Sequence, residues 1–386
     1  MDFNLSDDQR QLQQTARRFA QSELPELANE TDDTGHPVNA DWMARYADLG
    51  VLGINTREEH GGMGLPHLDA LLVMEEFAKV SVGVAFPVFE TSAGPVRIVE
   101  ALGHPDLAAR VVPASVEGKM MVAICMSEPG AGTALTDLRT TARIDGDHIV
   151  LNGTKRWCSG AGHSQGYVVF ARFDGVQGAK GIGAVFVDKD TEGLSFGPQE
   201  KLMGFRGVPS ADIMLDEVRV PKTHLLVGAG GFSKLMGLFN LERLGNATMA
   251  LGVAAGALEQ VQGYVQERSQ FGKEIIDFQA VQMRLAEMAI KVEASRLLIH
   301  RAAANAGTGL PKSDEAAMAK CMANEITREV TTAAMQLMGG YGYAREYGME
   351  RRVRDSFGWG IAGGSIDIQK VNIAANLVGR RFNQRG

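Results

Sequence analysis

The hydrophobic period of this chain changes twice, and those changes limit the folds open to it more than any other feature. Up to about residue 116 apolar residues recur at helical spacing, opened by Ser6-Asp7-Asp8-Gln9, which has the spacing of a capping box. Breaks are expected at Pro25, Gly50, the His60-Gly61-Gly62-Met63-Gly64 turn and Pro105. Between about residues 120 and 220 the runs become short and β-like, over 121–126, 148–151, 167–171, 184–187 and 213–220. Asp145-Gly146, Asn152-Gly153 and the glycines at 181 and 183 tolerate positive φ and are the expected hairpin corners. After Gly228-Ala229-Gly230-Gly231 the helical period returns, over 239–272, 278–306, 314–338 and 366–382. The pattern predicts an α+β multi-domain chain: a helical domain over 1–118, an antiparallel β-domain over 119–226 and a helical bundle over 227–386. A length of 386 residues agrees, because one hydrophobic core seldom grows that far.

Within the last segment, Leu244, Leu251, Leu258 and Val265 repeat at heptad spacing with Ala247, Ala254 and Val261 between them. That makes an apolar stripe for bundle packing. Glu242 and Arg268 flank the stripe without being needed for it.

A net charge of −7 argues against nucleic acid as the main partner. No apolar run is long enough to span a bilayer, and residues 1–10 are polar with no apolar leader, so no membrane partner and a cytoplasmic place are expected. Cys125, Cys158 and Cys321 are scattered without metal-ligand spacing, and no metal site is expected. The glycine-rich turn at 60–64 follows no clear strand and lacks the Lys-Ser/Thr ending of a phosphate loop. No Gly-x-Gly-x-x-Gly opens a helix in the β-segment, which disfavours a nicotinamide-binding domain. Ile124-Cys125-Met126-Ser127-Glu128-Pro129-Gly130-Ala131-Gly132-Thr133 joins a β-run to a loop, and Lys155-Arg156-Trp157-Cys158-Ser159 ends another. Together they offer an aromatic face, hydroxyls and free backbone N–H groups, which is what a flat cofactor binds.

These residues resemble the acyl-CoA dehydrogenase family of FAD enzymes. The resemblance spans the whole chain and rests on Met126 to Thr133, Trp157-Cys158-Ser159, Glu267-Arg268-Ser269-Gln270-Phe271-Gly272, and Gln336 to Tyr343 continuing to Asp355. It implies FAD as cofactor, an acyl-CoA substrate, an electron-transfer flavoprotein as acceptor, and a homotetramer or homodimer. It assigns Met126, Ser127, Trp157 and Ser159 to the flavin. Arg268, Phe271 and Gln279 resemble further FAD contacts, as do Ser365 and Asp367, while Gln336, Gly339 and Gly340 resemble a segment that reaches the FAD of a neighbouring subunit. Thr133, Asn240, Arg243, Gly363 and Gly364 resemble substrate contacts. Phe86, Phe89 and Glu90 could approach an acyl pocket, although their types suit core and surface better.

One departure matters. Many relatives carry a Tyr-Glu-Gly-Thr pattern near the C-terminus, and its Glu removes the substrate α-proton; here Gly363 stands in that place, within Ala362-Gly363-Gly364-Ser365. Isovaleryl-CoA and long-chain members carry their base in a Glu-Arg pair on the first bundle helix, and Glu242-Arg243 matches that position. The resemblance therefore implies Glu242 as base. Burial would raise its pKa and a helix N-terminus would lower it, and the balance is not legible in sequence. Other readings on the same fold are a desulfinase-type or enoyl-CoA reductase-type enzyme. A non-catalytic flavoprotein or partner subunit is the alternative of another class.

Overall fold

The computed structural model describes residues 4–380 and residue 382. Its first part is helical: α1 (Asp7–Thr34), α2 (Ala40–Asp48), α3 (His67–Ala78), α4 (Val82–Ser92), α5 (Pro95–Leu102) and α6 (Pro105–Val116). The capping box forms, with Ser6 Oγ accepting from the Gln9 N–H and Gln9 Oε1 accepting from the Ser6 N–H, each at 3.1 Å. Pro105 opens α6 as expected, but Pro25 breaks nothing. It lies inside α1, where burial of Leu24, Leu27 and Ala28 holds the helix together despite the lost backbone donor.

The middle is an eight-stranded sheet: β1 (Val122–Cys125), β2 (Thr141–Asp145), β3 (His148–Ser159), β4 (Gly166–Phe173), β5 (Ile182–Asp188), β6 (Leu194–Phe196), β7 (Ser210–Pro221) and β8 (Leu225–Val227). The order is β6-β7-β3-β2-β4-β5-β8, with β1 also on β4. Pairing is antiparallel except where β1 and β2 run parallel to β4. Asp145 pairs with His148 and makes the corner expected there. Asn152-Gly153 is not a corner: β3 runs on to Ser159, and Gly153 marks a register shift against β7. The β4–β5 turn uses Asp174 and Gly175, both at positive φ, rather than the glycines at 181 and 183, which lead into β5.

The last part holds α7 (Phe232–Glu267), the hairpin of β9 (Ser269–Gln270) and β10 (Lys273–Glu274), α8 (Gln279–Ala306), α9 (Ser313–Met338), α10 (Gly340–Tyr343), α11 (Met349–Asp355) and α12 (Ile366–Leu377). The expected helix over 366–382 stops at Leu377, with Gly379 at φ +65°; residue 381 of that span lies outside the described residues. The expected helix over 239–272 starts earlier and ends at Glu267, since Ser269–Glu274 turn into the small hairpin.

α7 is more central than a one-sided stripe implies. Every residue from 239 to 257 is buried, Glu242 and Arg243 included, because α3 and α4 pack on one side and α8 and α9 on another. A Cβ at Gly252 would lie 2.4 Å from the Ala78 Cβ, so glycine there lets α7 and α3 touch. One apolar core joins α1–α4 with α7–α9, and two further clusters cover the faces of the sheet, one of them against α5 and α6. The start of α7 thus lies where helical domain, sheet and bundle converge.

Candidate active site

Glu242 is 8 % exposed, a buried carboxyl and not a solvated helix charge. Burial raises its pKa, opposed by the nearby charges of Lys320 and Arg243. Its Oε2 accepts no hydrogen bond. Gly363, at φ +64°, is the residue it faces: a Cβ there would lie 2.7 Å from Glu242 Oε1, 2.8 Å from Oε2 and 3.0 Å from Lys320 Nζ. The carboxylate therefore fills the volume that a side chain at 363 would take. Only glycine suits both the left-handed backbone and the close approach.

The turn carrying Gly363 is held from below. Lys320, fully buried on α9, donates to the carbonyls of Ala362 and, at 2.9 Å, of Gly363. Asn246 on α7 donates to Trp359 O at 3.1 Å, and Asn324 on α9 donates to Asn246 Oδ1 at 3.0 Å. Fixing the Ala362 carbonyl toward Lys320 turns the Gly363 N–H the opposite way, because the peptide is planar and trans. Burial pulls Lys320 down to about 8, and the Glu242 charge works against that fall. Sequence reasoning missed Lys320; a lone Lys within the apolar pattern of a helix was the available signal.

Glu242 also lines a cavity with Phe89, Glu90, Ala93, Gly94, Pro95, Ile98, Ile124, Leu238 and Phe239. Glu90 was expected at the surface; it is 4 % exposed and its Oε2 is unpartnered. Burial first, and the Glu242 charge second, push its pKa well above the carboxylate range. The ring of Phe89, part of that lining, packs against the ring of Trp359, 4.9 Å away. Asn240 and Arg243 pair with each other, Arg243 Nη1 donating to Asn240 Oδ1 at 2.7 Å, and Arg243 Nε has no partner.

Ile124 ties this cavity to the β-platform, because Met126 and Ser127 follow it after Cys125. Lys155 Nζ donates to Met126 O at 3.1 Å and Arg156 N–H to Ser127 O at 2.9 Å, so the strand-end loop and β3 are locked side by side. Trp157 takes φ +61° between two register-shifted pairs and leaves its ring 53 % exposed. Ser159 ends β3, and Thr133 is exposed in the loop. Ser365 Oγ caps α12 at 3.5 Å from the Ile368 N–H, with Gly364 before it and Asp367 exposed in the first turn.

The remaining candidates lie apart. Arg268 caps the end of α7 and Phe271 lies in the hairpin turn, Gln279 opens α8, Gln336 lies in the last turn of α9, Gly339 caps it and Gly340 opens α10. Arg268 stands 5.6 Å from the ring of Tyr341 and has no ion pair among the described residues. From Glu242 to Arg268 the helix rises roughly 39 Å, at 1.5 Å per residue. The two residues stand at opposite ends of α7.

Comparison with known proteins places this geometry. Models of the acyl-CoA dehydrogenase N-terminal, middle and C-terminal domains match residues 6–119, 123–218 and 229–378. The chain belongs to the acyl-CoA dehydrogenase family. It is 38 % identical to a 3-sulfinopropanoyl-CoA desulfinase of Variovorax paradoxus, over 99 % of this chain and 97 % of that one. It is 36 % identical to the caffeyl-CoA reductase–Etf complex subunit CarC of Acetobacterium woodii, over 97 % and 99 %. The solved butyryl-CoA dehydrogenase of Megasphaera elsdenii superposes with a TM-score of 0.94 at 32 % identity, covering 98 % and 100 %. As an acyl-CoA dehydrogenase family member the chain is a flavin-dependent oxidoreductase, and FAD is its cofactor. The residues fit that group. An exposed indole held in a left-handed conformation suits a flat ring, and a guanidinium without a carboxylate partner suits a pyrophosphate. No helix among the described residues is long and apolar enough to cross a membrane.

Proposed function

We propose that this acyl-CoA dehydrogenase family member dehydrogenates an acyl-CoA at Cα–Cβ, with Glu242 as the base that takes the α-proton. The observation that carries this reading is the Glu242 carboxylate occupying the side-chain volume of residue 363. A thioester α-proton is weakly acidic, so its base must have a raised pKa and act against a stabilised enolate oxygen. Burial supplies the first. The Gly363 N–H, oriented by the Lys320 grip on Ala362, is the donor for the thioester oxygen. Met126, Ser127, Trp157 and Ser159 hold the flavin, with Ser365 and Asp367 at its margin, and Thr133, Asn240, Arg243 and Gly364 face the acyl-CoA. FAD supplies the two-electron acceptor for the β-hydride.

The distance along α7 supports a flavin site shared between chains, in which Arg268, Phe271, Gln279, Gln336, Gly339 and Gly340 serve a neighbouring subunit of a homodimer or homotetramer. The Etf-complex relative supports an electron-transfer flavoprotein as electron acceptor. A second reading, desulfination, is favoured by the desulfinase relatives. Against it, no Lys, Arg or His among the described residues lines the cavity to receive a sulfinate.

Glu242→Gln tests the base. The purified variant should keep its FAD and lose acyl-CoA-dependent flavin bleaching by about 10²–10⁴-fold. Bleaching at the wild-type rate would assign the base elsewhere. Sulfite release from a sulfinylacyl-CoA, with saturated acyl-CoAs leaving the flavin oxidised, would replace dehydrogenation by desulfination.

A further inference from the structure

The α-proton chemistry uses one of the two carboxyls in the cavity and leaves Glu90 without a task. Glu90 projects from α4, is 4 % exposed and has an Oε2 that accepts no hydrogen bond. It shares the cavity with Glu242, and the rest of the lining is hydrocarbon or glycine. A buried carboxyl without a partner is costly, and an apolar residue of similar size would fill the same place more cheaply. The open acceptor on a cavity wall is placed to take a partner that arrives with the ligand.

The lining limits what that partner can be. An alkyl tail would bury Glu90 Oε2 still unpaired. A carboxylate or sulfinate tail would meet two acidic side chains and no cation. A hydrogen-bond donor on the tail satisfies the orphan oxygen directly.

We propose that Glu90 selects acyl groups whose distal end carries a hydrogen-bond donor, a hydroxyl or an ammonium, over alkyl tails of equal length. The proposal rests on the reading that this cavity receives the acyl chain. A hydroxyl pairs with Glu90 in its neutral form, which burial and the Glu242 charge favour. An ammonium instead draws out the carboxylate and forms a desolvated ion pair with it.

The test is calorimetric binding to the FAD-loaded enzyme of four acyl-CoA series matched in length: ω-hydroxy, ω-dimethylammonio, alkyl and ω-carboxy. One or both donor series should bind about tenfold tighter than the alkyl series, which is ~1.4 kcal/mol. Preference for the hydroxyl series assigns the neutral acid, and preference for the ammonium series assigns the ion pair. Glu90→Leu should reverse the ratio in favour of alkyl tails. Glu90→Gln, which keeps shape and hydrogen bonding if the leucine variant does not fold, should retain the hydroxyl preference and lose the ammonium one. Alkyl or ω-carboxy tails binding as tightly as donor tails in the wild type, or a ratio that Glu90→Leu leaves unchanged, overturns the proposal. Binding selectivity without flavin reduction would sink the dehydrogenase reading and leave the Glu90 assignment standing; flavin reduction without selectivity would do the opposite.

Discussion

Gly363 and Glu242 act as one unit, since the space denied to a side chain at 363 is the space the carboxylate needs. Gly363→Ala tests this more sharply than removing the carboxylate. The new Cβ would meet Glu242 Oε1 at 2.7 Å on a backbone at φ +64°, so the carboxylate must move. The left-handed alanine adds about 1–2 kcal/mol of strain. Flavin reduction should fall at least roughly tenfold, one 1.4 kcal/mol step, while FAD content stays unchanged. Stopped-flow bleaching beside an absorbance spectrum of the purified protein measures both. Lys320 sets the charge that Glu242 feels. The base works only when ionised, so the rate should rise with pH through its raised pKa. Lys320 opposes that rise in pKa, and Lys320→Met removes the opposition. The acid limb of the kcat/KM profile should therefore move to higher pH, and a limb that stays in place would show that Lys320 only braces the turn.

Elements decide how precisely those residues meet, and the strand-end loop after β1 carries a buried ionic brace. Lys155 is fully buried and donates to Glu128 Oε1 at 2.9 Å, while Glu128 also accepts from the Arg139 and Thr140 backbone N–H groups. Burial drives Glu128 upward, but Lys155 and these donors outweigh it, leaving a net pKa below the carboxylate norm. Lys155→Met strands Glu128 as an unpaired buried charge, which costs about 3–5 kcal/mol. The melting temperature should drop, most clearly above the ordinary carboxylate range and less as pH falls and Glu128 protonates. FAD affinity should weaken with it, because Met126 and Ser127 lose their anchor; a pH series of melting curves with and without added FAD reads both effects. The same contrast explains what the sequence made legible. The order of helices and sheet, the capping box and β1, β3, β4, β5 and β7 followed from periodicity, and the family motifs led to FAD. β2, β6 and β8 did not, since β2 is largely polar and exposed and the other two have three residues each. Lys320 and the burial of Glu90 and Glu242 were hidden for a different reason. Each depends on what packs against a polar side chain from a distant segment, and local pattern carries no record of that.

At the scale of the whole molecule, α7 separates two groups of proposed flavin contacts, which the shared-site proposal treats as half-sites. Its start carries Glu242 beside the β-platform, and its end carries Arg268 beside Tyr341 and the Gln336–Gly340 stretch, roughly 39 Å away along the helix axis. Exposed Phe271 and Tyr343 belong to the second half-site, at 95 % and 78 % exposure, and aromatic surface of that extent suits a contact between subunits. If each flavin takes its platform from one chain and its arginine from a neighbour, two inactive variants can rescue each other. Glu242→Gln chains lack the base in every site, and Arg268→Glu chains place a repelling charge on every pyrophosphate. In a mixed two-fold dimer, one site inherits both defects and the other inherits neither. Co-refolding equal amounts should thus restore about a quarter of the wild-type activity, half the dimers being mixed and half their sites intact. Activity no greater than the sum of the two variants alone, in a mixture shown by native mass spectrometry to contain the hybrid, would mean that each chain holds its own flavin.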